Sequence, residues 1–472
     1  MPTQPRIAII GAGLCGLTLA IALHKRGIPY TIYESRGSLT ETGAGINLGP
    51  NATQAFELIN PELAKEARGL ATRNPGEARD VWLSIRVAKG TGGEEGFEDG
   101  EALVEAKAVG TGNMFFRRDD LLLLLARMAG ADEKGRIEFN KRVVGLEQPQ
   151  SDGSKIEMEG PVTLTFADST IATADLVVGT DGIHSAVRSC LFPLDPAVSR
   201  PQYSDTGGYR AIIPMPIWLS SPILASTLGA RSNIILGRNT YTIMYPVDNG
   251  RVMNVGLWTY RYEDPPSSSW VLKSQSQEMD RDFSDHGSVM AEILRLVHSA
   301  NAMGKRPQPD EVGDYDDVDF WKSYYHAQQP ASCFDRRICM IGDAAHSMPP
   351  HLGAGAGQAM EDAYVLAEVL DELLASSPPS LTLGGSSSLG DADVEAAMKA
   401  YEAVRRPRYQ KILDESAGAM EMWTTFWLPE LRRDGEEGQT LRRTVRERTE
   451  FIWKVDLASM ARHARELLRK EF

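Results

Sequence analysis

Residues 6–16 read Arg6-Ile7-Ala8-Ile9-Ile10-Gly11-Ala12-Gly13-Leu14-Cys15-Gly16, and this stretch decides the fold. An apolar run meets a G-x-G-x-x-G turn, and a helical pattern follows from Leu14 to about Arg26. A second strand-like run, Tyr30 to Tyr33, ends at Glu34. Strand, glycine turn, helix and strand open a parallel α/β sheet, and in that setting the glycines point to a dinucleotide. Gly11 permits the tight turn, and Gly13 lets a pyrophosphate approach the backbone. Gly16 lets the helix pack on the strand, with the helix's N-terminal N–H groups facing the phosphates. Glu34, 18 residues beyond Gly16, can accept hydrogen bonds from an adenosine ribose diol. A carboxylate there disfavours a 2′-phosphate, so the resident nucleotide is expected to be FAD or NAD and not NADP. The plain alternative is a glycine-rich turn without a ligand, and Cys15 reads as a small packing residue.

The choice between FAD and NAD falls to a second motif far downstream, residues 339–358, CMIGDAAHSMPPHLGAGAGQ. A strand ends in Gly342-Asp343, a proline loop follows, and Gly353 to Gly357 open another helix. Asp343 can bind a second polyol such as the ribityl chain of a flavin. Gly355, Ala356 and their neighbours would bring backbone N–H groups and a helix N-terminus against flat ligand atoms, favouring negative charge on a reduced ring.

Outward from these motifs, strands are predicted at 80–88, 136–147, 161–167 and 175–178. The last runs into Gly179-Thr180-Asp181-Gly182. From 207 to 260, short runs separated by turn signals such as Asp248-Asn249-Gly250 predict a mostly antiparallel sheet inserted into the first module. A helix is predicted near 287–299, a strand at 337–341 and a helix over 355–374. The Ser/Gly/Pro-rich 376–391 reads as a flexible insertion. The predicted division is an FAD-binding part over 1–195, a substrate sheet over 196–325, the rest of the FAD-binding domain over 326–375, the insertion at 376–392, and helices over 393–472.

Composition narrows the function. The 472 residues carry 50 Lys+Arg against 64 Asp+Glu, a net charge of −14, which argues against nucleic acid or an anionic membrane as partner. The C-terminal charges interleave as on solvated helix faces. Four cysteines without a CxxC pair or metal-ligand spacing suit a reducing compartment and no metal. No run of about 18 apolar residues marks a membrane span, and a cytoplasmic protein is expected.

Within the inserted sheet, Arg210 interrupts the apolar run Gly207-Gly208-Tyr209-Arg210-Ala211-Ile212-Ile213. Strand period puts Gly208, Arg210 and Ile212 on one face. A guanidinium on a buried face needs a partner, for which a carboxylate or phenolate substrate is suited. Tyr241 and Tyr245 share a face, and a hydroxyl there could orient a phenolic ligand. Spacing alone favours an edge ion pair for Arg210 and core packing for the tyrosines. His346 and His351 flank the proline loop, where either could touch substrate or shuttle protons, and a loop-structuring hydrogen bond is the preferred reading for each. Trp423 and Trp427 read as packing or dimer contacts.

Three motifs give the chain a family resemblance over essentially its whole length: GAGLCG with Glu34, DLVVGTDGIHSAVR at 175–188, and GDAAHSMPPHLGAGAGQAMEDA at 342–363. It resembles the class A flavoprotein monooxygenases, the single-component aromatic hydroxylases, and most of all their salicylate-hydroxylase-like branch. The resemblance implies a Rossmann-like α/β FAD-binding domain with bound FAD, and NAD(P)H and O2 as co-substrates. It implies a flavin hydroperoxide that hydroxylates a small phenol, salicylate-like or polyketide-derived. Decarboxylative hydroxylation and oxidative dearomatisation share that chemistry. A dehydrogenase or epoxidase on the same scaffold, or a non-catalytic flavin-binding protein, are the alternatives. By the same resemblance Asp181 and Gly182 lie near FAD and the incoming pyridine nucleotide. Gly43-Ala44-Gly45-Ile46-Asn47 passes under the flavin, and Arg118 supports the FAD diphosphate. Fungal relatives use an Arg and a Tyr on the substrate sheet, which implies catalytic roles for Arg210 and Tyr241. A single strand–GxGxxG–helix unit implies that the nicotinamide nucleotide binds transiently at the surface. A homodimer is possible on these grounds.

Overall fold

The computed structural model describes all residues except 1–4, 40–44, 89–97, 108–113, 132, 134, 150–159, 262, 264–268, 305–317, 377–379, 382–386, 426–435 and 472. Strand Ile7–Ile10 is buried throughout and pairs in parallel with Tyr30–Tyr33 on one side and Leu176–Gly179 on the other. Such a strand, covered on both faces, needs an uninterrupted apolar run, which Ile7 to Ile10 supply. Ile338–Met340 extends the parallel sheet, Phe334–Asp335 closes one edge as a hairpin, and Ile137–Glu138 closes the other. Helix Leu14–Lys25 is buried along most of its length and packs beside the long helix Gly355–Ser376. The two helices that the glycine motifs open are therefore neighbours in one core.

The second sheet has eight strands, in the order Val271–Leu272, Phe320–Tyr325, Gln202–Pro214, Val252–Tyr260, Thr240–Val247, Asn233–Gly237, Val81–Val87 and Ala102–Lys107. It is antiparallel except where Asn233–Gly237 runs parallel to Val81–Val87. The last two strands come from the segment that the sequence assigned to the FAD-binding part, so the sheet is assembled from two stretches of chain. Its interior strand Val81–Val87 is buried at every position, and its charged residue Arg86 is satisfied there by Asn233 Oδ1 at 2.7 Å and the Gly100 carbonyl at 2.7 Å. Tyr209, Ala211 and Ile213 turn toward a core closed by helix Gly287–Gly304, and Arg210 and Ile212 turn the other way. The alternation is as read, but the face carrying Arg210 is not the buried one.

The predicted strand at 136–147 is two elements. Asn140, at φ 59°, makes a left-handed turn, after which Val143–Glu147 joins a separate meander with Val162–Phe166 and Ile171–Ala174. Half of the insertion at 376–391 lies outside the described residues. In the rest, Ser380–Leu381 forms a short ladder with Ser387–Ser388, Leu389 is buried and Asp391 opens the next helix. No helix among the described residues is long and apolar enough to cross a membrane.

Candidate active site

The carboxyl ends of the parallel strands face the inserted sheet across a cavity of about 380 Å³. One wall is built from Gly13, Cys15, Gly45, Asn47, Arg118, Gly182, Asp343, Gly355 and Ala356, and the opposite wall includes Arg210, Tyr241, Tyr245 and Trp258. Ten of the residues singled out from the sequence thus line one space, although they span positions 13 to 356: Gly13, Gly45, Asn47, Arg118, Gly182, Arg210, Tyr241, Asp343, Gly355 and Ala356.

The remaining four support the wall from behind. Gly11, at φ +104°, makes the turn. A Cβ on Gly16 would lie 2.1 Å from the Gly11 carbonyl oxygen, so helix and turn can touch only because that carbon is missing. Glu34 accepts the Ala12 N–H at 2.8 Å and the Arg36 N–H at 2.8 Å, which ties the second strand to the glycine turn. Asp181 differs from expectation. Its carboxylate turns away from the cavity to accept the Ser185 hydroxyl at 2.6 Å and the Ala186 and Val187 N–H groups at 2.7 and 3.2 Å. It fixes the start of helix Ala186–Leu191, and the adjacent Gly182 is the residue that reaches the cavity.

The dinucleotide wall has room and unused polar capacity. A Cβ added to Gly13 or to Gly182 would meet nothing within 4 Å, so the cavity is open right up to the backbone. Asn47 Oδ1 is buried and without a hydrogen-bond partner among the described residues, and the Asp343 side chain is exposed to the cavity. A buried acceptor without a donor is costly unless a ligand satisfies it. Gly45 is demanded by the opposite wall, since a Cβ there would sit 2.8 Å from Tyr245 Cε2, and its N–H reaches Asn254 Oδ1 at 3.1 Å. Gly43 and Ala44 lie outside the described residues.

On the substrate side, Arg210 has no carboxylate or hydrogen-bond partner among the described residues, and its guanidinium lies 5.2 Å from the Trp321 ring. Its exposed surface faces the cavity, where partial removal from water lowers its pKa. Nearby Arg118 adds to that effect and Tyr245 opposes it.

Tyr241 is buried and hydrogen-bonded to His351 Nδ1 at 2.8 Å. His351 Nε2 lies 3.3 Å from Thr206 Oγ1, which lies 2.8 Å from Ser204 Oγ, and Ser204 donates to the Ser323 carbonyl at 3.0 Å. A carbonyl can only accept, and this sets the direction of the whole chain. Ser204 gives its proton to Ser323 and accepts from Thr206, Thr206 accepts from His351 Nε2–H, and His351 Nδ1 accepts from Tyr241. The imidazole is held neutral for this task, because burial pushes its pKa down to about 3. Tyr241 therefore spends its proton on His351 and turns oxygen lone pairs toward the cavity. Burial also holds its hydroxyl well above the usual tyrosine pKa.

With this geometry in view, the family model described as FAD binding domain matches residues 4–197 and 313–416, leaving out five strands of the eight-stranded sheet between them. An FAD-dependent monooxygenase of Gibberella moniliformis is 30% identical over 98% of this chain and 97% of its own length. The chain belongs to the FAD-dependent monooxygenase family. The 6-methylsalicylate 1-monooxygenase of Aspergillus terreus is also 30% identical, over 97% of this chain and 91% of its own. Among solved structures, a salicylate hydroxylase in complex with substrate superposes with a TM-score of 0.76 at 25% identity, covering 98% of both chains.

Several residues of this monooxygenase that shape the cavity escape a reading by motif. Trp423, expected as a packing residue, lines the cavity and donates its indole N–H to the His351 carbonyl at 2.9 Å. Trp427 lies outside the described residues. His351 does structure its loop, but it also presents an edge to Tyr241 and Trp258 inside the cavity. Beneath the second glycine motif, Arg405 and Arg408 from helix Asp391–Ala417 meet Glu361 and Asp362. Arg405 reaches Glu361 at 2.6 Å and Asp362 at 2.7 Å, and Arg408 reaches Glu361 at 2.6 Å. Burial alone would raise the Asp362 carboxyl, but Arg405, His346 Nε2 at 2.6 Å and the Gly342 N–H at 2.9 Å hold it low and charged. This network grips both ends of the Gly342–Gly357 loop, and no local spacing in the sequence announces it.

Proposed function

We propose that this monooxygenase hydroxylates a small phenolic compound, salicylate-like or polyketide-derived, using FAD, NAD(P)H and O2. The observation that carries the reading is that Arg210 and Tyr241 project into the same cavity as the glycine-lined dinucleotide wall. Its relatives' names, salicylate hydroxylase and 6-methylsalicylate 1-monooxygenase, support the substrate class. Gly13, Asn47, Arg118, Asp343, Gly355 and Ala356 would hold FAD, which when bound passes electrons from NAD(P)H to O2 and supplies one oxygen atom.

The chain's own residues prepare the ring. A phenol O–H would donate to Tyr241, whose lone pairs face the cavity. As the phenol ionises, its proton can enter the chain at Tyr241 while the Tyr241 proton moves to His351 Nδ1. The His351 Nε2 proton would then pass to Thr206 and the Thr206 proton to half-buried Ser204, which releases its own proton to solvent by turning its hydroxyl away from the Ser323 carbonyl. Arg210 would stabilise the phenolate left behind, raising electron density at the ring carbon that is attacked. Trp258, Trp82 and Trp423 would enclose the ring and keep water from it.

The test is NADPH oxidation by the holoenzyme across phenols, salicylates and aryl aldehydes, with product mass. The reading expects a substrate-stimulated rate and a product one oxygen atom heavier, or its decarboxylated counterpart, formed only with O2. Product formed without O2 would overturn it in favour of a dehydrogenase.

A further inference from the structure

Away from the cavity, the loop between helix Pro61–Leu70 and strand Val81–Val87 gathers three arginines in one surface concavity. Arg68 comes from the last turn of the helix, and Arg73 and Arg79 from the loop. Arg68 is paired with Glu57. Half-buried Arg73 and exposed Arg79 form no hydrogen bond or close ion pair among the described residues, and Asp80 is the carboxylate that acts on Arg73. Burial lowers the Arg73 pKa, Arg79 and Arg68 lower it further, and Asp80 opposes them.

The loop is not free to relax this repulsion. Thr72 and Phe115 exchange backbone hydrogen bonds at 2.8 and 3.0 Å, and the Thr72 hydroxyl accepts the Asn249 N–H at 2.8 Å. On the other side, buried Asn74 donates to the Val81 carbonyl at 2.7 Å and accepts the Ser232 N–H at 2.8 Å. Both neighbours of Arg73 are thus pinned. The fold pre-organises like charges at one spot of a chain whose net charge is −14.

We propose that this concavity binds a phosphate monoester. Three guanidinium groups against Glu57 and Asp80 leave one positive charge in excess, which attracts an anion. Their forked donors match the phosphate oxygens. That chemistry has two sources, the 2′-phosphate of NADPH docking at the surface and a free phosphorylated metabolite.

The experiment titrates the holoenzyme with inorganic phosphate by calorimetry and measures KM for NADPH and NADH. Wild type and R73Q, R79Q and K65Q are compared, Lys65 being exposed on the same helix outside the concavity. The proposal expects saturable phosphate binding that weakens about tenfold or more in R73Q and R79Q and is retained in K65Q. A parallel rise in KM for NADPH but not NADH identifies the reductant as the source. Unchanged KM values with lost phosphate binding identify a free phosphorylated ligand. Absence of saturable phosphate binding in wild type, or equal affinity in all variants, overturns the proposal. Flavin absorbance and melting temperature check that R73Q is folded, and exposed R79Q carries the test if it is not.

Discussion

Arg210 stands in the cavity wall without a counter-ion among the described residues, and Tyr241 stands there with its proton already committed. On the proposed function, an anion-forming ligand between them would use both. Arg210→Ala should reduce product formation by about a hundredfold or more while FAD stays bound, because the guanidinium faces the substrate wall. Wild-type turnover in that variant would remove it from the mechanism. Thr206→Val cuts the hydrogen-bonded chain without touching the cavity surface. It should lower kcat about tenfold, shift the pH profile of kcat upward, and be rescued by Thr206→Ser, which a packing role for the methyl group would not predict. At this scale the sequence was informative wherever a residue broke a local pattern, as Arg210 does in an apolar strand. It preferred a loop role for His351 and a packing role for Trp423, because their cavity contacts depend on partners distant in the chain.

The glycine turns show how an element encodes two separate requirements in one motif. Gly16→Ala would place a methyl group 2.1 Å from the Gly11 oxygen, so it should destabilise the fold by about 1–3 kcal/mol or more and lose flavin with it. Gly13→Ala meets no protein atom within 4 Å and should leave the melting temperature of the apo-protein unchanged while weakening FAD binding. Melting curves with flavin absorbance separate the two, and equal behaviour of both variants would contradict the assignment. The strand–turn–helix opening was legible because its periodicity and turn chemistry are local. The break at Asn140 and the parallel pairing of Asn233–Gly237 with Val81–Val87 were not, because a register or a partner is a property of two segments at once.

Across the whole molecule, three imidazoles are buried in the neutral state. Desolvation pushes His286 to about 4 and His326 and His351 to about 3. In the unfolded chain each takes up a proton near pH 6.5, and the folded state cannot. Their contribution is complete above pH 6.5 and is lost as pH falls toward 3, at up to about 1.4 kcal/mol per pH unit for each group. The melting temperature should therefore drop steadily between pH 7 and 5, less steeply in His286→Gln, and a flat profile would disprove this account. That Ile7–Ile10 and Ile338–Met340 belong to one sheet was visible in the two glycine motifs that follow them, whereas the contribution of 81–107 to the second sheet was not. That contribution matters for how such enzymes can diverge. Trp82 and Leu83 of the transplanted strand line the same cavity as Arg210 and Tyr241. On the proposed function, substrate preference would draw on two separate blocks of the sequence. A chimera that exchanges only 196–325 would import six strands and dock them beside a foreign seventh, so retargeting this enzyme calls for moving both blocks together.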